Sequence, residues 1–319
     1  MPVLASLFAA LIPMLIYLVL IWWIDKYDRE PILFLFIHFL WGALGAVIIG
    51  ISGSMILAAF TGLVGAESKS SSLIQTIFFA PFSEEIAKGL FLLYSVNSKK
   101  FDNITDGIVY GAAIGLGFGM TENFIYFLTY GDSFSSWIQL VLIRSLFSAV
   151  MHCISTASFG AFLAMAKFSS SIGKNTLPFA GLTLAMLIHF LWNAAISFET
   201  TFFYGFIFMI FLVLIFFFVF RLSIKNEKNI VEHELFEESN DGLIPGEHVR
   251  ILSSHLRFRK GWIDERIRKL YARYAIRLAF SKNQFRKVKD TSKNYYALEI
   301  EKNRQVVRSL LTTNTLQIK

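Results

Sequence analysis

The sequence predicts an all-α membrane protein, a polytopic helix bundle of about seven spans followed by a small helical C-terminal region in the cytoplasm. Of the 319 residues, 55% are hydrophobic and 17% charged, with a mean hydropathy of +0.55. A soluble domain carries about 25% charged residues. Such a chain cannot cover itself with polar groups, which excludes a soluble enzyme, a secreted disulfide scaffold and a disordered regulator.

Apolar runs long enough to cross a bilayer are the second observation. A spanning helix needs about 20 predominantly apolar residues. Seven such runs occur, at roughly 4–24, 33–61, 73–96, 104–130, 137–167, 177–199 and 200–220. The first run has no basic segment before it and is too long for the core of a signal peptide, so we expect it to be a spanning helix.

The distribution of Lys and Arg is the third observation, and it predicts the orientation. Basic residues occur in every second loop and after the last run, namely Lys26, Arg29, Lys99, Lys100, Lys167, Lys174, Arg221, Lys225 and Lys228. The opposite side has only Lys69. By the positive-inside rule, the N-terminus lies outside and the C-terminus lies in the cytoplasm.

The charge balance changes after the last run. From Arg221 onward there are 21 basic and 12 acidic residues, whereas the preceding residues hold 9 and 11. We therefore divide the chain into a transmembrane domain, 1–222, and a basic, mostly helical tail, 223–319. In the tail, apolar residues recur at helical spacing from Ile263 to Leu278 and from Leu298 to Leu311.

Two other features of the tail suggest surface roles. Its basic residues form either the solvated face of a small helical bundle or a contact with membrane lipid. The acidic cluster, residues 232–238, is expected to be a solvated linker.

Ionisable residues inside spanning segments are costly and indicate function. The third to sixth segments carry Glu84, Glu85, Lys88, Glu122, Asn123, Arg144, His152, His189 and Asn193. At 1.5 Å per residue, the depths below the outer ends are roughly 17 Å for Glu84, 12 Å for Glu122, 22 Å for His152 and 15 Å for His189. Acid or imidazole groups at similar depth in four segments predict one shared site.

Helical spacing agrees with a shared site. Glycines recur every four residues from Gly107 to Gly119, a stripe that lets helices approach closely, and Glu122 continues that face. Lys88 follows Glu84 and Glu85 by four and three residues, so it can neutralise one carboxylate. We expect Lys88, and Asn123 beside Glu122, to have supporting roles.

Carboxylates and imidazoles in a membrane cavity suit the activation of water for amide hydrolysis. In one route Glu84 or Glu85 is the general base, and His189 with Asn193 stabilises an oxyanion. The route needs no metal.

In the other route Glu122, His152 and His189 hold Zn²⁺, which makes its bound water easier to deprotonate. An alternative function is ion-coupled transport with the carboxylates as a proton relay. A transporter should show two related halves, and no internal repeat is evident in the sequence.

Four motifs resemble those of the PrsW-type intramembrane proteases. Ser83-Glu84-Glu85-Ile86-Ala87-Lys88 resembles their EExxK motif, and Phe118-Gly119-Met120-Thr121-Glu122-Asn123 resembles FxxxEN. His152 and the segment from His189 to Asn193 resemble the two later His motifs, in the same order. The resemblance covers about residues 73–199, the predicted catalytic core. Lys88 and Glu122 depart from the EExxxR and FxxxH motifs usual in the CAAX prenyl endopeptidases and bacteriocin-processing enzymes of the wider clan.

The resemblance implies a multi-pass protease of the bacterial plasma membrane. Its substrate would be a single-pass membrane protein such as an anti-sigma factor, cut near the outer side. No nucleic-acid partner is expected. The glutamate and metal routes both remain open at this point.

Overall fold

A computed structural model describes residues 2–65, 68–98, 101, 103–167, 169, 171–288 and 290–316. Helices make up most of these residues, and no strand occurs among them. The predicted all-α class is therefore confirmed.

Each of the seven predicted segments corresponds to a helix. These helices are α1 (Val3–Ile24), α2 (Ile32–Phe60), α3 (residues 69–95), α4 (Ile104–Thr129), α5 (Phe134–Lys167), α6 (Ser171–Ser197) and α7 (Phe202–Asn240). The last one is longer than predicted, because it continues beyond the apolar run into the charged tail.

Within the described part of the chain, six helices are long and apolar enough to cross a membrane, namely all of these except α3. Glu84, Glu85 and Lys88 interrupt the apolar sequence of α3. The polytopic helical bundle is thus confirmed, while a crossing by α3 stays a prediction. Lys99 and Lys100, which contributed to the predicted orientation, lie outside the described residues.

Reciprocal hydrogen bonds fix where α4 and α5 begin. The side chain of Asn103 accepts a bond from the backbone N–H of Asp106 at 2.9 Å, and the Asp106 carboxylate accepts one from the N–H of Asn103 at 2.9 Å. Ser133 and Ser136 form the same capping box before α5. Such caps satisfy backbone donors that a helix start leaves unpaired.

Three of the helices contain a π-helical turn. These turns are Trp41–Ala46 in α2, Gln75–Phe79 in α3 and Arg144–Ser148 in α5. Each turn inserts extra backbone and rotates the following residues about the helix axis, and such turns occur frequently at functional sites. In α3 and α5 the turn lies directly upstream of the predicted site residues.

The glycine stripe of α4 packs against the backbone of α5. A Cβ atom on Gly115 would lie 2.1 Å from the carbonyl oxygen of His152, and one on Gly107 would lie 2.2 Å from that of Gly160. Only glycine permits these distances, since a heavier side chain would overlap a backbone oxygen. The stripe therefore sets the separation of the helices that carry Glu122 and His152.

A second close approach joins α2 to α3. A Cβ atom on Gly50 would lie 3.0 Å from Cγ of Glu84, and one on Gly53 would lie 2.9 Å from Cβ of Ser83. These two glycines let α2 pack directly over the start of the EExxK motif. The backbone of α2 therefore limits the positions that the Glu84 side chain of α3 can adopt.

The chain divides into two compact units. One consists of the residues up to Asp25 together with Glu30–Phe220, and the other consists of Lys26–Arg29 and the chain from Arg221 onward. The second unit contains α8 (Gly246–Leu252), a 3₁₀ turn (His255–Phe258), α9 (Glu265–Lys287) and α10 (Asp290–Leu316). Both helical patterns of the tail are therefore confirmed.

The second unit has its own apolar core. Buried residues of α7, α9 and α10 meet there, including Val231, Leu235, Tyr271, Ile276 and Val307. Burial of such side chains stabilises a fold by about 1.5–3 kcal/mol each.

The acidic cluster is not a solvated linker, so that expectation is wrong. It lies on α7, where Glu238 is buried and contacts Lys282 at 2.6 Å and Arg304 at 2.6 Å. Hydrogen bonds from Arg286 and Lys282 lower the pKa of Glu237 to about 2. The cluster therefore ties α7 to α9 and α10 inside the second unit.

The glycine stripe gives a stability prediction. Gly115→Ala should lower the free energy of unfolding by about 1–3 kcal/mol, because the added methyl group overlaps the His152 carbonyl. Thermal unfolding in detergent would measure it. Gly246→Ala is the control, since its Cβ would meet only Ser239 Oγ at 3.6 Å. Equal melting temperatures for Gly115→Ala and the parent protein would contradict the packing described for α4 and α5.

Candidate active site

Four helices bring five of the six predicted catalytic side chains into one buried cluster. Glu84 and Glu85 come from α3, Glu122 from α4, His152 from α5 and His189 from α6. The side chains of Glu85, His152 and His189 are 1%, 1% and 3% exposed, against 13% for Glu84 and 24% for Glu122. The cluster is thus closed around Glu85 and most open at Glu122.

Glu85 is the most heavily hydrogen-bonded carboxylate of the cluster. Its Oε1 lies 2.7 Å from Lys88 Nζ and 2.9 Å from His189 Nδ1, and it also accepts a bond from Ser155 Oγ at 3.3 Å. Oε2 accepts one from Thr156 Oγ1 at 3.5 Å. A buried carboxylate with four donors is well compensated.

His152 is held at both ring nitrogens. Lys88 Nζ lies 2.9 Å from Nδ1, and Glu122 Oε2 lies 2.6 Å from Nε2. Because an ammonium group only donates, Nδ1 accepts and the proton of the neutral ring sits on Nε2. His152 therefore donates to Glu122. Lys88 is fully buried and also lies over the ring of Phe118, 3.9 Å from its centroid.

Arg144 completes the surroundings of Glu122, a role that the sequence did not reveal. Its guanidinium lies 2.9 Å from Glu122 Oε2, and its Nε donates to Asn123 Oδ1 at 3.1 Å. The same group stacks on the ring of Tyr126 at 3.6 Å. The sequence did contain a signal for this pairing. Glu122 was predicted to be buried and had no assigned cation, and a buried carboxylate needs a positively charged partner. Asn123 has contact with this cation rather than with the imidazoles.

Ser155 and Thr156 were not among the predicted site residues. Both lie on α5 within four residues of His152, and their hydroxyl groups face Glu85. The spacing from His152 to Thr156 was visible in the sequence as part of a polar stripe. The contribution of Ser155 depends on the rotation of α5, which only the structure shows.

Glu84 differs from the other two carboxylates. Its Oε2 is buried without a hydrogen-bond partner among the described residues. Lys88 Nζ lies 3.7 Å away and His189 Nε2 lies 3.9 Å away. An incompletely paired buried carboxylate oxygen is costly, so this atom is suited to bind a proton, a water or a cation.

Three side chains form what we call the donor cluster: Glu84, His152 and His189. Each offers one ligand atom, and these atoms all lie within 4.8 Å of one another. Two imidazole nitrogens and a carboxylate oxygen are a donor set typical of catalytic zinc. The bond from His189 Nδ1 to Glu85 leaves Nε2 facing Glu84, a pattern by which a second carboxylate orients a metal-binding histidine.

The donor cluster shares two members with the predicted metal set of Glu122, His152 and His189. Glu122 is not part of the donor cluster, because its carboxylate accepts the hydrogen bond from Nε2 of His152. To bind a metal, His152 must release either Lys88 or Glu122, since both of its nitrogens are hydrogen-bonded.

Asn193 lies apart from the carboxylates. Its Nδ2 donates to the backbone carbonyl of Thr76 at 2.9 Å, in the π-helical turn of α3. One of its two amide hydrogens is thus engaged, and the other stays available as a donor.

Comparison with known proteins points to one family. Residues 30–221 match the family model described as PrsW family intramembrane metalloprotease. The chain is similar to Protease PrsW of Oceanobacillus iheyensis, with 29% identity over 232 residues, which are 72% of this chain and 99% of that protein. It is also similar to Protease PrsW of Clostridioides difficile, with 30% identity over 185 residues, 56% of this chain and 74% of that protein.

Protease PrsW of Bacillus subtilis is 28% identical over 166 residues, 52% of this chain and 70% of that protein. No solved structure matches the chain. The matched range of the family model contains all six predicted catalytic side chains and ends where the tail begins.

The buried ammonium gives a stability prediction. Lys88→Met should lower the free energy of unfolding by about 3–5 kcal/mol, because it leaves Glu85 buried without its cation. The double variant Glu85→Gln with Lys88→Met removes both charges and should recover most of the loss. Thermal unfolding in detergent compares the three proteins. If the double variant were as unstable as Lys88→Met, Lys88 would act through packing alone.

Proposed function

The chain belongs to the PrsW family and is an intramembrane protease, and we propose that it uses the donor cluster to hydrolyse a peptide bond in a membrane-anchored protein. One observation carries the assignment of the site. Donor atoms from three helices lie within 4.8 Å of one another, beside a Glu84 oxygen with no hydrogen-bond partner in the described part of the chain.

Of the two adjacent carboxylates, we assign the general base to Glu84 in the route without a metal. Glu85 accepts bonds from four side chains, three of them at Oε1, so its negative charge is well compensated. Glu84 Oε2 is free to take a proton from water. The 3.9 Å between this oxygen and His189 Nε2 is a separation that a bridging water can span.

His152 and Glu122 act together at the more open side of the cluster. The bond from Lys88 fixes the tautomer of His152, and its Nε2 proton points to Glu122. Arg144 balances the charge of Glu122. In this arrangement the pair holds the imidazole rigidly next to the reacting groups, which supports positioning of water and substrate.

The metal route uses the same residues. We propose Glu84, His152 and His189 as ligands of Zn²⁺, with Glu122 as the nearby carboxylate that accepts a proton. Zinc would act as a Lewis acid that makes water easier to deprotonate. The metal site predicted from the sequence assigns these roles the other way round. There Glu122 is the ligand, and Glu84 or Glu85 is the base. The description of the family as metalloproteases supports a metal without specifying which set binds it.

Asn193 is proposed to donate to the oxyanion. One amide hydrogen bonds the carbonyl of Thr76, and the second can reach a carbonyl of the substrate backbone. Anchoring of the amide to a backbone carbonyl keeps the donor fixed, which is what stabilisation of developing charge requires.

We propose a single-pass protein of the bacterial plasma membrane, such as an anti-sigma factor, as the substrate. The basic loops and tail support an N-terminus outside and a C-terminus in the cytoplasm. With that orientation, the depths of Glu84 and Glu122 favour cleavage near the outer side. The similar proteins from Oceanobacillus iheyensis and Bacillus subtilis are bacterial, which supports a location in a bacterial membrane.

Two substitutions separate the metal sets. Glu84→Gln should lose bound zinc and cleavage together, whereas Glu122→Gln should keep zinc and lose cleavage by about 100-fold or more. Elemental analysis of purified protein and a cleavage assay give the two readouts. Loss of zinc in Glu122→Gln with retention in Glu84→Gln would restore the set predicted from sequence. Full activity of protein shown to be metal-free would reject zinc and leave Glu84 as base.

Substrates can be found by comparing cells that express the parent chain or Glu122→Gln. New N-termini of single-pass membrane proteins, present only with the parent chain, should mark cleavage sites near the outer end of a span. An anti-sigma factor among them would support the proposed class. New N-termini confined to soluble proteins would contradict a membrane-anchored substrate.

Cysteine labelling tests the orientation, since the single native cysteine, Cys153, is buried. Ser135→Cys and Gln305→Cys add exposed thiols in the first turn of α5 and on α10. An impermeant maleimide should label Ser135→Cys in intact cells and Gln305→Cys only after permeabilisation. Labelling of Gln305→Cys in intact cells would reverse the proposed topology.

A further inference from the structure

One face of α9 carries a run of exposed basic side chains. Lys269, Arg273 and Arg277 follow one another at four-residue spacing and are all exposed. Residues four apart lie above one another on a helix, about 6 Å along its axis. Leu270 on the same helix is 44% exposed, and Phe258 before it is 56% exposed. We call Lys269, Arg273 and Arg277 the basic face.

Three basic residues of the second unit pair with acidic side chains inside it, whereas those of the basic face do not. Lys282, Arg286 and Arg304 pair with the acidic cluster on α7. No hydrogen bond or ion pair joins the basic face to another residue that the structure describes. Among the residues that the structure describes, the three cations of the basic face therefore have no acidic partner at contact distance.

The short loop Lys26–Arg29 belongs to the same unit. Tyr27 donates its hydroxyl to the carbonyl of Ser253 at 2.7 Å, and Arg257 donates to the carbonyl of Lys26 at 2.8 Å. Arg257 also lies over the ring of Tyr27, 4.2 Å from its centroid. These contacts hold the loop firmly in the unit.

Asp28 in this loop interacts electrostatically with two residues of the basic face, Arg277 and Arg273. Burial raises the pKa of Asp28, and the charges of Arg277 and Arg273 oppose that rise. The loop joins α1, which ends at Ile24, to α2, which begins at Ile32. Since both helices are long and apolar enough to cross a membrane, the few residues between them must lie at a bilayer surface.

We propose that the basic face binds the phosphate headgroups of anionic lipids at the bilayer surface beside the loop Lys26–Arg29. Unpaired cations at regular spacing match a layer of lipid phosphates, and exposed Leu270 and Phe258 suit the boundary between headgroups and acyl chains. A lipid is favoured over a soluble polyanion because hydrogen bonds join α9 to this loop, which connects two apolar helices. Arg268 of α9 donates to the carbonyls of Arg257 and Phe258 at 3.1 and 3.2 Å, and Arg257 donates to the carbonyl of Lys26. The proposal does not depend on the proteolytic function or on its site.

The test uses the full-length chain in a zwitterionic detergent, titrated with phosphatidylglycerol or phosphatidylcholine and followed by native mass spectrometry. Phosphatidylglycerol should bind more tightly than phosphatidylcholine. Arg273→Gln with Arg277→Gln should reduce that affinity about fivefold for each cationic side chain removed. Raising the salt concentration should weaken binding to the parent chain and leave the variant nearly unchanged.

Two controls keep the result interpretable. Lys302→Gln with Arg308→Gln removes the same charge from exposed positions of α10 and should keep the parent affinity. Because loss of both arginines leaves Asp28 without their charges, the arginine variant is also measured with Asp28→Asn, and Asp28→Asn alone serves as its reference. The loss of affinity should persist on this background.

Three outcomes would overturn the proposal. Equal affinity of the arginine variant and the α10 control would remove the basic face from lipid binding. Competition by inorganic phosphate at the same concentration would indicate an anion site rather than a lipid surface. Binding of a short duplex DNA in place of phosphatidylglycerol, lost in the arginine variant, would make the ligand a nucleic acid.

Discussion

The proposed active site depends on one buried cation, the ammonium group of Lys88. It lies 2.7 Å from Glu85 and 2.9 Å from His152, and it is fully buried. A charge removed from water in this way is stable only where its partners are close and correctly oriented. Lys88 therefore determines more than a single contact, because its bonds set the position of a carboxylate and the tautomer of an imidazole. His152 in turn donates a hydrogen bond to Glu122, and Glu85 accepts one from His189, so Lys88 also helps to position these two side chains.

These bonds need helices that approach more closely than side chains normally allow. The glycines of α4 bring it against the carbonyl oxygens of α5, and Gly50 brings α2 against Glu84. Without an aqueous solvent to drive association, packing of small residues is the main means by which membrane helices achieve such contact. The glycines and Lys88 therefore have the same effect, because both keep acid and imidazole groups of different helices at hydrogen-bond distance.

Sequence patterns were sufficient for the helices and for the five acid and imidazole side chains of the cluster, but not for the contacts of Arg144, Ser155 and Thr156 or for the bonds within the cluster. Composition and helical spacing predicted the all-α class, and similar depths predicted that Glu84, Glu122, His152 and His189 converge. Which carboxylate meets which imidazole depends on helix rotation, and π-helical turns alter that rotation in α3 and α5. The acidic cluster was misjudged for a related reason. Its cationic partners Arg286 and Arg304 are 49 and 66 residues away along the chain, beyond the reach of any local pattern.

The charge balance of the cluster links the two catalytic routes. Glu84, Glu85 and Glu122 face two obligate cations, Lys88 and Arg144, and the closest pairings are Lys88 with Glu85 and Arg144 with Glu122. Glu84 is then the carboxylate without a close counter-ion. A buried carboxylate in that position must be neutralised, either by a proton or by a metal cation. The glutamate route and the zinc route are the two chemical answers to the same excess of one negative charge. In both proposed routes, Glu84, rather than its better-paired neighbour, is the residue on which activation of water depends.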